Sequence, residues 1–345
     1  MAKYIRILSI DGGGIRGIIP AQILVKLESI IKEKTGNSDA RLSDYFDLIA
    51  GTSTGGILAC LYLTPDKEGK SKFTAQKAAD IYHNFGDNIF ENSIFQNIKS
   101  LGGITDEKYP AENLEKALEL SFEDTKLSDL LRPCLITAYD IENRRAVLFT
   151  HPEAKKEGQK DLPDYYIKDV ARATTAAPSY FECAKISDVN NEEIALIDGG
   201  VFAGNPALCA YAESRGIFKR PGGFNEKVTA KDMVILSLGT GIVKKPYPYQ
   251  KAKDWGQIGW IKPVLDIFLT GQAETVDYQL REIYDAVGCP HQYLRIDPSL
   301  GEKVNPDMDD ASMENIDTLH VIGFDTAEKD RKEDLEKFAA LLLAE

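Results

Sequence analysis

This chain of 345 residues is poor in cysteine, histidine, positive charge and long apolar runs, and each shortage removes a class of function. Its five cysteines (Cys60, Cys134, Cys183, Cys209 and Cys289) are odd in number, scattered, and form no C-x-x-C pair. That excludes a disulfide framework and fits reduced thiols in a cytoplasmic protein. None stands in a turn that presents a nucleophile, which disfavours cysteine catalysis. There are four histidines, His83, His151, His291 and His320, and none sits in a strand-end turn. No stretch approaches the ~18 apolar residues of a membrane-spanning helix. The opening MAKYIRILSIDGGG lacks the apolar core and cleavage site of a secretory signal, so none is expected. A formal net charge of −13 disfavours nucleic acid as a partner, because phosphate binding needs a cationic surface.

What is present is ordinary globular material, 43% hydrophobic and 28% charged, sufficient for one large α/β core. The chain shows no repeat, low-complexity tract or linker, so residues 1–345 are expected to form one domain. Tyr4–Ile10 reads as a buried strand, and Ile23, Leu24, Leu27, Ile30 and Ile31 recur at helical spacing up to Thr35-Gly36. Tyr45–Ala50 reads as a second strand, followed by a helix through Ile57, Leu58 and Leu61. Strand, glycine turn and helix thus occur twice within about 65 residues, the pattern of a parallel sheet with crossover helices. Residues 66–130 are polar and mostly helical with a Gly/Asn-rich middle, an expected elaboration over the sheet, with Pro110 opening a helix. Pro133–Tyr139 and Arg145–Thr150 read as a hairpin, and 151–164 as a charged loop that leaves His151 in solvent. Ile167–Ala177 has helical spacing; Glu193–Ile197 and Met233–Leu238 are strands. Asn205-Pro206 opens a helix, and 256–285 form a long one bent near Pro263. His291–Ile296 is a late strand, and Ala327–Leu343 a terminal amphipathic helix, so 286–345 are expected as a mainly helical C-terminal extension.

Chemistry concentrates in two glycine-rich turns at early strand ends. Gly51-Thr-Ser-Thr-Gly55 matches G-x-S-x-G, in which a serine is held on a sharp strand-to-helix turn. The alternative for Ser53 is a Gly/Ser/Thr turn that merely caps the helix. Asp11-Gly12-Gly13-Gly14-Ile15-Arg16-Gly17 offers side-chain-free amides that can approach a developing oxyanion. Turns after neighbouring parallel strands open at one carboxyl edge, so the two can lie side by side. Arg16 braces the glycine loop, contacts a phosphate, or is simply a surface arginine. A serine hydroxyl needs a base. His291 and His320 are the only histidines late enough for the Ser–Asp–His order of an α/β-hydrolase. The alternative base is Asp198, which ends an apolar strand and precedes Gly199-Gly200; its rival reading is a plain turn aspartate. Desolvation would raise a buried carboxyl toward useful basicity.

With these segments in hand, the chain resembles the patatin-like phospholipases. The family pattern D-G-G-G-x-R-G, then G-x-S-x-G, then D-G-G or D-G-A is matched in order at Asp11–Gly17, Gly51–Gly55 and Asp198–Gly200. Ala173–Phe181, Val201–Leu208 and Ser237–Gly241 also resemble family segments, and the similarity spans most of 4–285. The resemblance implies a three-layer α/β/α sandwich around a mainly parallel sheet. It also implies a lipid acyl hydrolase with Ser53 as nucleophile and Asp198 as its partner in a Ser–Asp dyad. It makes Gly12, Gly13 and Gly14 the oxyanion hole and Arg16 the residue that stabilises their loop. It implies no metal or other cofactor, and a phospholipid or other acyl-lipid substrate.

Lys244, Lys245, Lys251 and Lys253 flank Tyr247, Tyr249 and Trp255 ahead of an apolar stretch. Such a patch suits peripheral contact with a bilayer; the competing reading is a solvated loop beside a core helix. Two rival functions remain at this level. An acyltransferase would share the acyl-serine, but the malonyl-transacylase type has histidine where Thr52 stands. A nucleotide-binding module would use the glycine run as a phosphate loop, but no G-K-[ST] follows Asp11–Gly14. Head group, acyl position and oligomeric state are not legible.

Overall fold

A computed structural model describes residues 3–85, 111–151, 163–218, 227–242, 246–301 and 304–345. Among them the chain forms an eight-stranded sheet with helices on both faces. The strands are β1 (Ile5–Ile10), β2 (Leu48–Gly51), β3 (Cys134–Asp140), β4 (Arg145–Thr150), β5 (Ala184–Ser187), β6 (Glu193–Asp198), β7 (Met233–Leu238) and β8 (Tyr293–Ile296). Their spatial order is β5-β6-β3-β2-β1-β7-β8, with β4 paired to β3 off this path. The β3-β2-β1-β7-β8 stretch is parallel, while β4 and β6 lie antiparallel to β3, and β5 antiparallel to β6.

The central strands are buried on both faces, and alternate residues feed two separate cores. Leu8, Ile10, Ile49, Ile136, Val234 and Leu236 join one core. It includes α1 (Ile18–Thr35), α2 (Thr54–Leu63), α3 (Ala75–Phe85), α4 (Glu112–Phe122) and α5 (Ile167–Thr174). Ile5, Ile7, Leu48, Ala50, Leu135 and Ile235 join the other, with residues of α6 (Ala207–Ile217) and α7 (Gln257–Ala286). Two cores on opposite faces of one sheet make the expected three layers.

The hairpin and the strand at Met233–Leu238 lie where the sequence places them. Three features differ. His151 is buried, because β4 carries it to the sheet instead of releasing it into the loop. The end of the chain holds two helices, α8 (Met313–Asp325) and α9 (Lys332–Leu342), joined by a π turn at Thr326–Asp330; Ala327 therefore does not start a helix. Strand β5 is an addition that the sequence reading does not include, and α8 falls within the expected helical extension. Pro110, the Gly/Asn-rich middle within 86–110, and 152–162 of the charged loop lie outside the described residues.

One edge of the sheet organises the rest. Ile10 pairs with Gly51 and with Leu238, and Leu238 pairs with Ile296. The turns after β1, β2, β7 and β8 therefore leave the sheet at one level.

Candidate active site

Ser53 occupies the turn between β2 and α2, with φ 54° and ψ −122°. That backbone region is nearly closed to residues with a Cβ and costs about 1–3 kcal/mol. The flanking glycines make it attainable. A Cβ at Gly51 would stand 2.2 Å from the Gly55 carbonyl oxygen, and one at Gly55 would stand 2.2 Å from that of Ile10. The surroundings over-determine the turn. Ser53 N–H donates to Thr174 Oγ1 at 2.9 Å, Thr52 Oγ1 donates to the Ala203 carbonyl at 2.6 Å, and Tyr82 Oη donates to the Thr54 carbonyl at 2.5 Å.

Asp198 ends β6, which runs antiparallel to β3, yet the register brings it level with the serine. Gly51 faces Ile136 on β3, and Ala138, two residues further on, faces Asp198. Ser53, two residues beyond Gly51, stands at the same height across one intervening strand. The Ser53 hydroxyl lies near enough to the Asp198 carboxyl to favour its charged form, and both side chains line one cavity. Gly200 N–H donates to Asp198 Oδ1 at 2.7 Å. Burial pushes the Asp198 carboxyl up to about 6, against the pull of the nearby Ser53 hydroxyl and the Gly200 N–H.

The glycine loop stands beside this pair. Gly14 has φ 60°, and a Cβ there would lie 2.1 Å from the Met308 carbonyl oxygen, so only glycine fits. Gly12 differs from the other two: its N–H is already given to the Gly204 carbonyl at 3.0 Å. Among the described residues the N–H groups of Gly13 and Gly14 meet no protein acceptor, which narrows the expected three donors to two. Arg16 is buried, not at the surface, and its Nε donates to the Gly13 carbonyl at 3.3 Å. Burial lowers the Arg16 pKa, with Asp297 and Asp266 opposing.

Three residues that sequence reasoning did not assign complete the frame. Thr240 Oγ1 donates to the Gly12 carbonyl at 2.8 Å. Arg295 on β8 forks onto Asp11 at 2.9 and 2.6 Å and reaches Asp297 at 2.7 Å. Asp297 Oδ1 in turn accepts from Gly241 N–H at 2.9 Å. Burial opposes the Arg295 charge, but Asp11 and Asp297 outweigh it and hold the guanidinium above its ordinary value. Thr240 lies in the flagged Ser237–Gly241 segment; a lone arginine in a short strand carries no sequence signal.

Ser53, Asp198 and the three glycines all open onto one cavity of about 350 Å³. Its wall is otherwise mostly apolar, including Ile57, Leu114, Phe181, Phe268 and Leu269. Among the described residues no histidine lines it: His291 is exposed and His320 lies on α8. A serine hydroxyl in a strained turn, a raised carboxyl, two amides with no protein acceptor among the described residues and an apolar slot suit acyl transfer from an apolar acyl group.

The chain is similar to known proteins. The family model described as Patatin-like phospholipase matches residues 8–211. Patatin-like protein 2 of Arabidopsis thaliana is 35% identical over 355 residues, covering 95% of this chain and 84% of that protein. Patatin group M-2 of Solanum tuberosum is 32% identical, covering 99% and 90%. A third relative, named "Probable inactive patatin-3-Kuras 1", also from Solanum tuberosum, is 31% identical, covering 99% and 93%.

Proposed function

The chain belongs to the patatin-like phospholipase family and is a lipid acyl hydrolase, and on that premise we propose that Ser53 and Asp198 are its catalytic dyad. As Ser53 Oγ bonds to the ester carbonyl carbon, its proton passes to the Asp198 carboxylate. The carbonyl oxygen becomes an oxyanion that accepts from Gly13 and Gly14 N–H. Collapse of the tetrahedral intermediate breaks the bond to the leaving alcohol, which takes the proton from Asp198. Water then attacks the acyl-serine and gives a proton to Asp198. The second collapse returns that proton to Ser53 and releases the fatty acid.

One observation carries this reading: a serine held in a strained turn and a buried carboxyl face the same apolar cavity. A carboxyl held near 6 is ionised at neutral pH and more basic than an ordinary aspartate, as a general base requires. Activity is the expected outcome on this reading, although one relative's name marks that protein inactive. Ser53→Ala and Asp198→Asn should each lower ester hydrolysis by about 10³-fold or more, with unchanged circular dichroism. Appreciable turnover by either purified variant removes that residue from its role.

The finer setting follows from the surface. The cysteines are free, in keeping with a cytoplasmic enzyme. Among the described residues no helix is long and apolar enough to cross a membrane. The substrate is a phospholipid or other acyl lipid met at a bilayer surface, and the lip of the cavity on α7 makes the contact. There Trp260, Val264, Ile267 and Phe268 are exposed, and Phe268 also lines the cavity. Lys251 and Lys253 are exposed nearby, whereas Lys244 and Lys245 lie outside the described residues.

A further inference from the structure

We infer that Thr240 is a positioning residue that sets the direction of the Gly13 N–H, and so of one of the two oxyanion donors. The inference rests on the reading of Ser53 as nucleophile beside an amide cradle. A trans peptide is planar, with its C=O and N–H pointing in opposite directions. Whatever grips the Gly12 carbonyl therefore aims the Gly13 amide. That grip is the Thr240 hydroxyl, at 2.8 Å. The next peptide is held alike, with Arg16 Nε on the Gly13 carbonyl, so the Gly14 amide is aimed by the same device. A loop of three glycines has little conformational preference of its own, and without such grips either peptide plane is free to rotate.

Two further observations place Thr240 in this role. A Cβ on Gly13 would stand 2.1 Å from Thr240 Oγ1, so the threonine rests directly on the loop and position 13 has no room for a side chain. Thr240 is 5% exposed and does not line the cavity, so it acts through the loop and not on substrate. Its own position is secured independently. Gly241 N–H is bonded to Asp297, and Arg295 holds both Asp297 and Asp11, the residue that leads into the glycine loop. One guanidinium thereby locks the turn that carries the grip to the turn that is gripped.

The test compares Thr240→Val, which keeps the shape and removes the hydroxyl, with Thr240→Ser, which keeps the hydroxyl. A soluble short-chain p-nitrophenyl ester is the substrate. Loss of a whole oxyanion donor costs about 10²–10³-fold in kcat, so a misaimed one should cost about 10–100-fold. Thr240→Val should lose that much in kcat with KM within about 2-fold, and label more slowly with an active-site phosphonate. Its plateau should fall while the acidic limb of the pH profile stays near 6, because Asp198 is untouched. Thr240→Ser should recover to within about 3-fold of wild type. Thr240→Ala provides the same comparison if valine perturbs folding. Wild-type kcat in the hydroxyl-less variants, or a serine variant as impaired as valine, overturns the assignment. Ser53→Ala runs in parallel. If it is dead while Thr240→Val is fully active, only the positioning role falls; if Ser53→Ala is active, the dyad reading falls and takes this one with it.

Discussion

At the scale of single residues, Asp198 carries a cost that its proposed role as base would explain. Its carboxyl is raised from the ordinary range to about 6, so ionising it disfavours the folded state. The sign follows from linkage: stability from this group is full below the unfolded value near 4 and is lost as pH rises through about 6. A rise of that size corresponds to about 3 kcal/mol at most. Asp198→Asn keeps an acceptor for Gly200 N–H. It should therefore be inactive yet more stable than wild type by about 1–3 kcal/mol at pH 8, with the gain vanishing below about pH 4. Denaturant melts across that range check it, and equal stability at pH 8 contradicts the desolvated-carboxyl account. With Asp198 as the proposed base, the same titration governs catalysis. The base works only when ionised, so kcat/KM should fall as pH drops below about 6. The G-x-S-x-G spacing made Ser53 legible because both glycines answer local contacts. Asp198 was less so, since D-G-G marks many turns and nothing near it in the chain reports its burial.

At the scale of elements, α7 does two things with one helix. Leu269 packs beside Gly200 and Gly204, and Gln272 accepts from Gly204 N–H at 3.2 Å, which ties the helix to the segment after Asp198. Trp260, Val264, Ile267 and Phe268 recur at helical spacing and are left exposed. Tyr247, Trp255 and Trp260 stack edge-on, with ring centroids 5.3 and 5.1 Å apart, at the same end. Aromatic and aliphatic side chains beside a cavity mouth suit the interfacial region of a bilayer. Val264→Ser/Ile267→Ser should reduce co-sedimentation with phosphatidylcholine/phosphatidylglycerol vesicles several-fold while sparing hydrolysis of a soluble ester. Unchanged sedimentation would remove α7 from the membrane contact. The apolar run was visible in the sequence, but the side it exposes was not, because solvent exposure is decided by which faces α6 and the sheet cover.

At the scale of the whole molecule, the site is closed by a residue nearly 300 positions from the loop it supports. Arg295 comes from β8, beyond the segment 8–211 that matches the family model, and clamps Asp11 from inside. Arg295 and Asp11 are both buried, with Asp11 4% exposed. Burial pushes the Asp11 carboxyl up to about 7 even beside Arg295, so removing the guanidinium leaves a buried carboxyl without its partner, at a cost of up to about 3–5 kcal/mol. Arg295→Met should lose stability of that order and lose activity with it. Met at 295 with Asn at 11 should regain more stability than activity, because the lost clamp also sets the loop. A melting temperature for Arg295→Met equal to wild type would show that the pair is not the anchor described.

The sequence alone determined the local pieces of this protein: two strand–glycine turn–helix units, an elbow serine, a loop of bare amides and an alternation that buries both faces of the central strands. These rest on neighbours within a few residues, where backbone sterics and periodicity act directly. Only the tertiary structure decided which pieces meet. The pairing of β6 against β3 brings Asp198 level with Ser53, the Gly204 carbonyl withdraws Gly12 from the donor set, and Thr240 and Arg295 take their places as grip and clamp. Each of these depends on strand register and on burial across long chain separations, and neither quantity is encoded in any short window of residues.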